Sequence, residues 1–470
     1  MTPNNFALLT RRELLVHLCK MLDKETILDE IDRVPLLMRP KQNTPIRCCV
    51  HKDRAIIKYK MMALMAFNID DEEDELCTLH EYAAKAFQRD KVTPIPMTVV
   101  DEACSSCNHG SYQISNLCRG CEARPCAVNC PKKAISFVDG KAQIDHKLCI
   151  NCGKCLKECP FHAIVYQPVP CEESCPIGAI EKDESGIERI NYDKCIFCGK
   201  CIAACPYGAI VEKTHLIEIF KAWRGNQKVV ALVAPAIAGQ FRQELGKIYS
   251  SILKAGFSDI VEVAEGADLT IAHEGAEWQE RMEAGHQCMT TSCCPAYKEL
   301  VKKHIPDIED KVSSTPSPLY YAGKIARERY PDAITVFIGP CIAKRVESYY
   351  LDTVDYMMSF EEFGSLLVAK DIEIANLEPY KCTSNPSTPA YHFAYSSGVT
   401  NAIQAQTKAT VNAEIVNGID KKNITLLKQI ASGKTDKNFI EVMCCEGGCL
   451  GGVNTLIKSP QAEVIFKKNL

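Results

Sequence analysis

The sequence predicts an α/β domain over residues 226–470, preceded by an α+β region over 96–225 and a small helical region over 1–95. Three observations carry this reading. Short apolar runs after residue 225 end in cysteine- or proline-bearing turns and lead into helix-like stretches, the pattern of buried parallel strands. The 28 cysteines crowd the middle of the chain in repeated short spacings. Residues 1–95 place apolar side chains at helical intervals.

Composition sets the frame. At 470 residues the chain has room for two or three domains, and 46% hydrophobic with 24% charged residues suits a water-facing globular protein. A formal charge of -4 gives no reason to propose nucleic acid or an anionic membrane as a partner. The sequence opens on no signal-like segment and holds no uninterrupted apolar run of membrane-spanning length. The expectation is therefore a cytoplasmic protein whose cysteines bind metal rather than form disulfides.

In the first region, Arg11 to Arg33 carries Leu14, Leu15, Leu18, Met21 and Leu22 near helical spacing, and Ala55 to Phe67 is apolar and Met-rich. The acidic run Asp70 to Glu75 is expected to be a solvated turn. Cys19, Cys48, Cys49 and Cys77 show no ligand spacing and read as buried or incidental thiols. The role of this region is not legible.

Residues 96–225 hold two full runs, Cys149-x2-Cys152-x2-Cys155-x3-Cys159-Pro160 and Cys195-x2-Cys198-x2-Cys201-x3-Cys205-Pro206. A third, Cys118-x2-Cys121-x4-Cys126-x3-Cys130-Pro131, is expanded by two residues. This is the bacterial-ferredoxin pattern for 4Fe-4S clusters, in which the fourth cysteine serves the other cluster of a pair. Zinc instead takes paired Cys-x2-Cys knuckles. The pairing predicts one cluster on Cys118, Cys121, Cys126 and Cys159, and its mate on Cys149, Cys152, Cys155 and Cys130. The last run has only a half partner, Cys171-x3-Cys175-Pro176, and Cys104-x2-Cys107 is an orphaned front half. Joining the halves gives clusters on Cys195, Cys198, Cys201 and Cys175 and on Cys104, Cys107, Cys171 and Cys205. The alternative leaves Cys104 and Cys107 with zinc or nothing, and three clusters.

In the last region, Ile334 to Ile338 runs into Gly339-Pro340-Cys341-Ile342-Ala343-Lys344-Arg345-Val346-Glu347, and Phe439 to Met443 runs into Cys444-Cys445-Glu446-Gly447-Gly448-Cys449. With Thr290-Thr291-Ser292-Cys293-Cys294-Pro295 these make three Cys loops at strand ends. Open α/β sheets bind ligands at the carboxyl ends of their strands. Cys294, Cys341, Cys445 and Cys449 would supply the four thiolates of one more 4Fe-4S cubane, with Cys293 left beside it.

The three loops resemble the signature motifs of the FeFe-hydrogenases, in the spelling of the divergent group B branch, over residues 225–470. The resemblance implies a two-lobed catalytic domain of the hydrogenase type. It implies an H-cluster, a cubane on the four cysteines with Cys449 bridging to a two-iron subsite that carries CO, cyanide and azadithiolate. Ala234 and Pro235 would lie by a cyanide, Lys344 would hydrogen-bond one, Met443 would lean over the subsite, and Glu347 would pair with Lys344 or another charge. Cys293, Ser313, Glu277, Glu274 and Arg281 match the family's proton path. In this reading Ser313, Glu277 and Glu274 continue the relay outward from Cys293, with Glu274 nearer solvent. A relay of short acid-base hops suits these residue types, since a thiol titrates not far above neutrality.

Gly339 stands where the better-known branch has Met, Tyr297 where it has Trp, and Cys444 where it has Ala. Such changes around a metal alter its tuning. Cys288 and Cys382 receive no role. The resemblance implies an oxygen-sensitive enzyme of anaerobic hydrogen metabolism that interconverts H2 with protons and electrons. It would pass electrons through its 4Fe-4S clusters to a ferredoxin-like carrier, and would depend on hydrogenase maturation enzymes. A scaffold protein without the two-iron subsite, a sensory hydrogenase and a plain polyferredoxin are the competing readings. Cys293, Lys344 and Met443 weigh against the first, the lack of a visible signalling module against the second, and residues 225–470 against the third.

Overall fold

The computed structural model describes residues 5–72, 74–107, 110–407 and 409–470. Two parallel sheets organise the last region. The first has the order β10-β9-β12-β13, from Asp259–Glu262 (β10), Val229–Val233 (β9), Ile334–Gly339 (β12) and Tyr356–Ser359 (β13). The second, β11-β15-β14, is made of Met289–Thr290 (β11), Phe439–Met443 (β15) and Ala413–Asn417 (β14). All pairings in both sheets are parallel. β9 and β15 are buried along their whole length, as central strands covered on both faces must be. Two sheets make two lobes. Their carboxyl ends carry Ala234-Pro235, Thr291 to Cys294, Pro340-Cys341 and Cys444-Cys445.

The helix that carries Glu274, Glu277 and Arg281 runs from Val263 to Glu283. It packs against the helix Pro318–Arg329 so closely that a Cβ at Gly266 would stand 2.1 Å from Pro318 O. Only glycine tolerates that approach. The contact fixes the face bearing Glu274 and Glu277 against the segment Ser313 to Ser317.

Between residues 96 and 215 the strands are short antiparallel pairs. They are Met97–Val99 (β1) with Ile210–Glu212 (β8), Ser111–Ile114 (β2) with Ile164–Gln167 (β5), Ile135–Val138 (β3) with Lys141–Ile144 (β4), and Ile180–Lys182 (β6) with Glu188–Ile190 (β7). Pairs this short are marginal in water. The cysteine loops they frame need bound clusters to hold them.

The N-terminal helices do not form a core of their own. Phe6–Asp23 packs on Phe360–Ala369, and Leu14, Leu18 and Leu22 share one apolar cluster with Leu232, Phe337 and Phe363. Arg12 pairs with Glu361 at 3.1 Å, and Arg11 with Glu212 at 3.0 Å. The acidic run is likewise not simply solvated, because Asp70 pairs with Arg189, which also holds Asp101 and Asp183 at 2.8 and 2.9 Å. Glu73 of that run lies outside the described residues.

Candidate active site

The strand ends converge on a cavity of about 90 Å³. Cys294, Cys341, Cys445 and Cys449 line it, together with Cys293, Lys344, Met443, Ala234 and Pro235. Four of these walls come from four strand ends of two sheets, which is why residues more than 200 positions apart in sequence meet. The loop carrying Cys449 can close over the cavity because Gly448 takes φ +69, and a Cβ there would meet the Tyr395 backbone at 2.8 Å.

Inside an otherwise apolar wall sits the Lys344 ammonium. Burial opposes its charge, but Glu347 and the surrounding thiolates outweigh burial and hold its pKa above the usual value. Its Nζ lies 2.5 Å from Glu347 Oε2 as an ion pair, yet out of hydrogen-bond alignment, so its donors lack an aligned acceptor. A buried donor without an acceptor is costly. A group presenting acceptor atoms in the cavity, such as one bearing cyanide, would satisfy it, and the four cysteine sulfurs would hold its iron.

Two offered residues are not on this wall. Glu347 stands behind it, accepting from Ser317 Oγ at 2.6 Å while it pairs with Lys344. Gly339 is buried in β12 under the ring of Phe337, which a Cβ at 339 would strike at 2.3 Å. Phe337 itself lines the cavity. Residues 337 and 339 share a face of the strand, so the ring occupies space that a side chain at 339 would take. Spacing alone does not reveal this exchange. Phe393 and Cys444 also line the cavity, while Tyr297 is buried behind it with its hydroxyl 2.9 Å from Thr290 Oγ1.

The residues expected to form a proton path gather along one side of the helix, with the two carboxyls at depths opposite to those expected. Glu274 is the inner carboxyl. It has no solvent exposure, accepts from Ser292 N at 3.2 Å and is the charge acting most strongly on the buried Cys293 thiol. Burial lifts its pKa to about 8, against a partial lowering by the Ser292 N–H. Glu277 is the outer one, half-buried, accepting from Ser313 Oγ at 2.7 Å, Ser314 N at 2.8 Å and Thr315 Oγ1 at 2.9 Å. Burial would push Glu277 up, yet these donors prevail and hold it below the usual carboxylate range. Arg281 Nη2 lies 2.8 Å from Glu277 and also donates to Val312 O. Ser313 Oγ donates to Glu277, and the same hydroxyl also acts to lower the Glu274 pKa. The helix turn fixes that Glu274 and Glu277 are neighbours; depth is set by what packs on each.

In the cysteine region, Cys118, Cys121, Cys126 and Cys159 ring one cavity of about 20 Å³, and Cys130, Cys149, Cys152 and Cys155 another of the same size. A third, also about 20 Å³, is ringed by Cys104, Cys107, Cys171 and Cys205. Cys175, Cys195 and Cys198 gather around Cys201. Among the described residues no three His, Cys, Asp or Glu side chains are close enough to hold a single ion. Sulfurs set around a hollow fit a multi-iron cluster better than tetrahedral zinc. Backbone amides support the same role: Ala134 N donates to Cys130 Sγ at 3.2 Å, Ala163 N to Cys159 Sγ at 3.4 Å, and Ala179 N to Cys175 Sγ at 3.2 Å. Such bonds tune cluster potentials.

A two-lobed parallel α/β domain with a cysteine-lined cavity, wired to cysteine quartets in a ferredoxin-like region, defines an iron–sulfur oxidoreductase. Residues 227–453 match the family described as iron only hydrogenase large subunit, C-terminal domain. Residues 142–165 and 188–211 match the 4Fe-4S binding domain. Iron hydrogenase 1 of Clostridium pasteurianum is 27% identical over 414 residues, covering 74% of this chain and 71% of that one. The NADP-reducing hydrogenase subunit HndD of Solidesulfovibrio fructosivorans is 29% identical over 323 residues, 55% of each. The periplasmic Fe hydrogenase large subunit of Nitratidesulfovibrio vulgaris is 28% identical over 373 residues, 66% of this chain and 85% of that one. Residues 227–453 are thus a domain of the iron-only, or FeFe, hydrogenase family. No helix of the described residues is long and apolar enough to cross a membrane.

Proposed function

We propose that this chain interconverts H2 with protons and electrons, as a member of the divergent group B branch. The observation that carries the proposal is the cavity in which four cysteines, two more unneeded as ligands and the buried Lys344 ammonium meet at the carboxyl ends of parallel strands. An H-cluster held by Cys294, Cys341, Cys445 and Cys449 would supply the site where H2 is split or formed and the first base. Lys344 would donate to its cyanide, with Glu347 keeping the ammonium charged and in place. Phe337, Met443, Ala234 and Pro235 exclude water from the rest of the wall.

The chain's own groups then move the proton. During uptake Cys293 takes it at Sγ and passes it to Glu274, whose pKa near 8 lets it accept and release close to neutrality. Ser313 carries it by receiving at Oγ and donating its own proton onward to Glu277. Arg281 favours the ionised form of Glu277, so the proton leaves to solvent there. Production runs the same steps in reverse.

Electrons are proposed to travel through four accessory clusters. Cys198 is among the charges acting on Cys445, and the Cys198 to Lys200 loop packs on the catalytic domain, with Lys200 donating to Ile419 O. Both contacts support a cluster on Cys175, Cys195, Cys198 and Cys201 as the neighbour of the catalytic cubane. The packed helices Pro170–Ser174 and Lys200–Ala204 join it to the Cys104, Cys107, Cys171 and Cys205 quartet, and the unit at 118–159 lies beyond. A ferredoxin-type carrier in the cytoplasm would exchange electrons there, and maturation enzymes would deliver the two-iron subsite.

Infrared spectroscopy of anaerobically matured protein tests the assignment. Bands of iron-bound CO and cyanide are expected. A spectrum lacking both, with the cubanes loaded, would leave an iron–sulfur protein without hydrogenase chemistry.

A further inference from the structure

A second cavity, of about 100 Å³, lies where the N-terminal helices meet the cluster region, and Arg11, Arg12, Lys60, Cys205, Glu361 and Lys458 are on its wall. Three of its four cations are accounted for. Arg11 pairs with Glu212 at 3.0 Å, Arg12 with Glu361 at 3.1 Å, and Lys458 donates to Gly452 O and Val453 O. Lys60, on the helix Val50–Leu64, is only 6% exposed and has neither ion pair nor hydrogen bond among the described residues. Its Nζ is packed on the Cys205 loop, where a Cβ at Gly208 would stand 3.0 Å from it. Burial, with Arg47, Arg11 and Arg39 in support, lowers its pKa to about 8, and the anionic group that opposes this is the Cys205 thiolate.

A buried ammonium needs a counter-charge. Near the Cys104, Cys107, Cys171 and Cys205 quartet, Glu188 on the cavity wall is paired with Lys182, and Arg47, which donates to Ala103 O and lies over the Tyr207 ring, is a further cation placed against its loops. A 4Fe-4S cluster with four thiolates is a net anion in both oxidation states, and gains one more negative charge when one electron enters. A fixed positive charge beside it in a poorly screened setting favours the reduced form. We infer that Lys60 is the counter-charge of the cluster at Cys104, Cys107, Cys171 and Cys205 and raises its reduction potential. The helical region 1–95 is thus an electrostatic part of the electron path. Lys60 is a positioning residue, acting on electrons through the cluster rather than on substrate. This rests on the four-cluster reading above.

The test is a redox titration followed by electron paramagnetic resonance on the full chain with its 4Fe-4S clusters loaded. In Lys60→Met, one accessory couple is expected to fall, its reduced-to-oxidised ratio at fixed potential dropping about tenfold, or about 59 mV for a one-electron couple. The other couples should stay in place, and Lys60→Arg should keep the native potential. A wild-type chain with only three accessory couples would sink the four-cluster reading. Four couples, none moved or all moved together by Lys60→Met, would sink the role of Lys60 alone. Should Lys60→Met lose the cluster, Lys60→Gln is titrated in its place. Cluster loss in both neutral variants, with retention in Lys60→Arg, would make the lysine a structural support and overturn the tuning role.

Discussion

The catalytic cavity and the accessory quartets offer the same four thiols and serve different ends. The cavity at the strand ends measures about 90 Å³, against about 20 Å³ for each of the three cysteine-ringed cavities in the ferredoxin-like region. Two of the small ones have a backbone N–H donating to a cysteine sulfur, Ala134 N to Cys130 and Ala163 N to Cys159. The large one adds two more cysteines, Cys293 and Cys444, an ammonium and a line of hydroxyls and carboxyls leading away. Ligand count therefore does not separate an electron relay from a catalyst. The surplus room, and the proton route opening from it, do.

The most damaging way to break that contrast is to close the route at its start. Cys293→Ala should retain the full iron content and infrared bands, since Cys294 and not Cys293 is the proposed ligand. H2 turnover should fall at or beyond the top of the range of about 100- to 10,000-fold that a general acid-base group contributes. Cys293→Asp should recover part of the rate, because a carboxyl can also carry the proton. Near-normal turnover in Cys293→Ala would redirect attention to Cys444, the other spare thiol on the wall.

Depth sharpens the next comparison. Glu274 has no exposure to solvent, so Glu274→Gln should cost about 100-fold or more in turnover. Glu277→Gln should be milder, about tenfold, since its neighbours Ser313, Thr315 and Arg281 remain and solvent is near. Assays of both variants at matched iron content decide the order. A more severe loss in Glu277→Gln would mean that protons enter the relay by a different door.

Iron counting tests the surplus room directly. Four accessory cubanes, one catalytic cubane and a two-iron subsite give about 22 irons per matured chain. Protein made without maturation enzymes should lack only about two of these, and Cys104→Ser should lack about four. A matured value near 18, indifferent to Cys104→Ser, would reduce the accessory set to three.

Cysteine spacing made much of this architecture readable, because a cluster ligand must sit at a fixed reach from its neighbours and the Cys-Pro step marks the crossing to a second cluster. Arithmetic alone joined Cys104 and Cys107 to Cys171 and Cys205, and the structure gathers those four around one hollow. The strand runs before Cys341 and Cys445 were legible from β-branched and aromatic character. What escaped depends on packing between distant segments. Phe337 takes the space above Gly339, Glu274 rather than Glu277 is the inner carboxyl, and Lys60 reaches the Cys205 loop, and none of these follows from local pattern. The helices at 1–95 were opaque for the same reason, since their apolar faces are completed by Leu232 and Phe363 far along the chain.

The smallest expected effect is on stability, and it isolates the inner carboxyl from the chemistry. Glu274 titrates near pH 8 in the folded chain because burial disfavours its anion, whereas an unfolded glutamate titrates at about 4.3. Between those values the folded state binds the extra proton, so stability falls as pH rises. Below about 4.3 the contribution is fully present, and above about 8 nothing further is lost. Glu274→Gln cannot ionise and should remove this slope, while other buried acids such as Glu441 act equally in both proteins. The thermal midpoint of anaerobic holoprotein at pH 5 and pH 8 provides the comparison: wild type should lose more on going to pH 8 than the Gln variant does. Parallel losses in the two would show that Glu274 is already ionised at neutral pH. The relay would then have no protonated donor between Cys293 and Ser313, and the contrast between a catalytic cavity with a proton route and quartets without one would rest on volume alone.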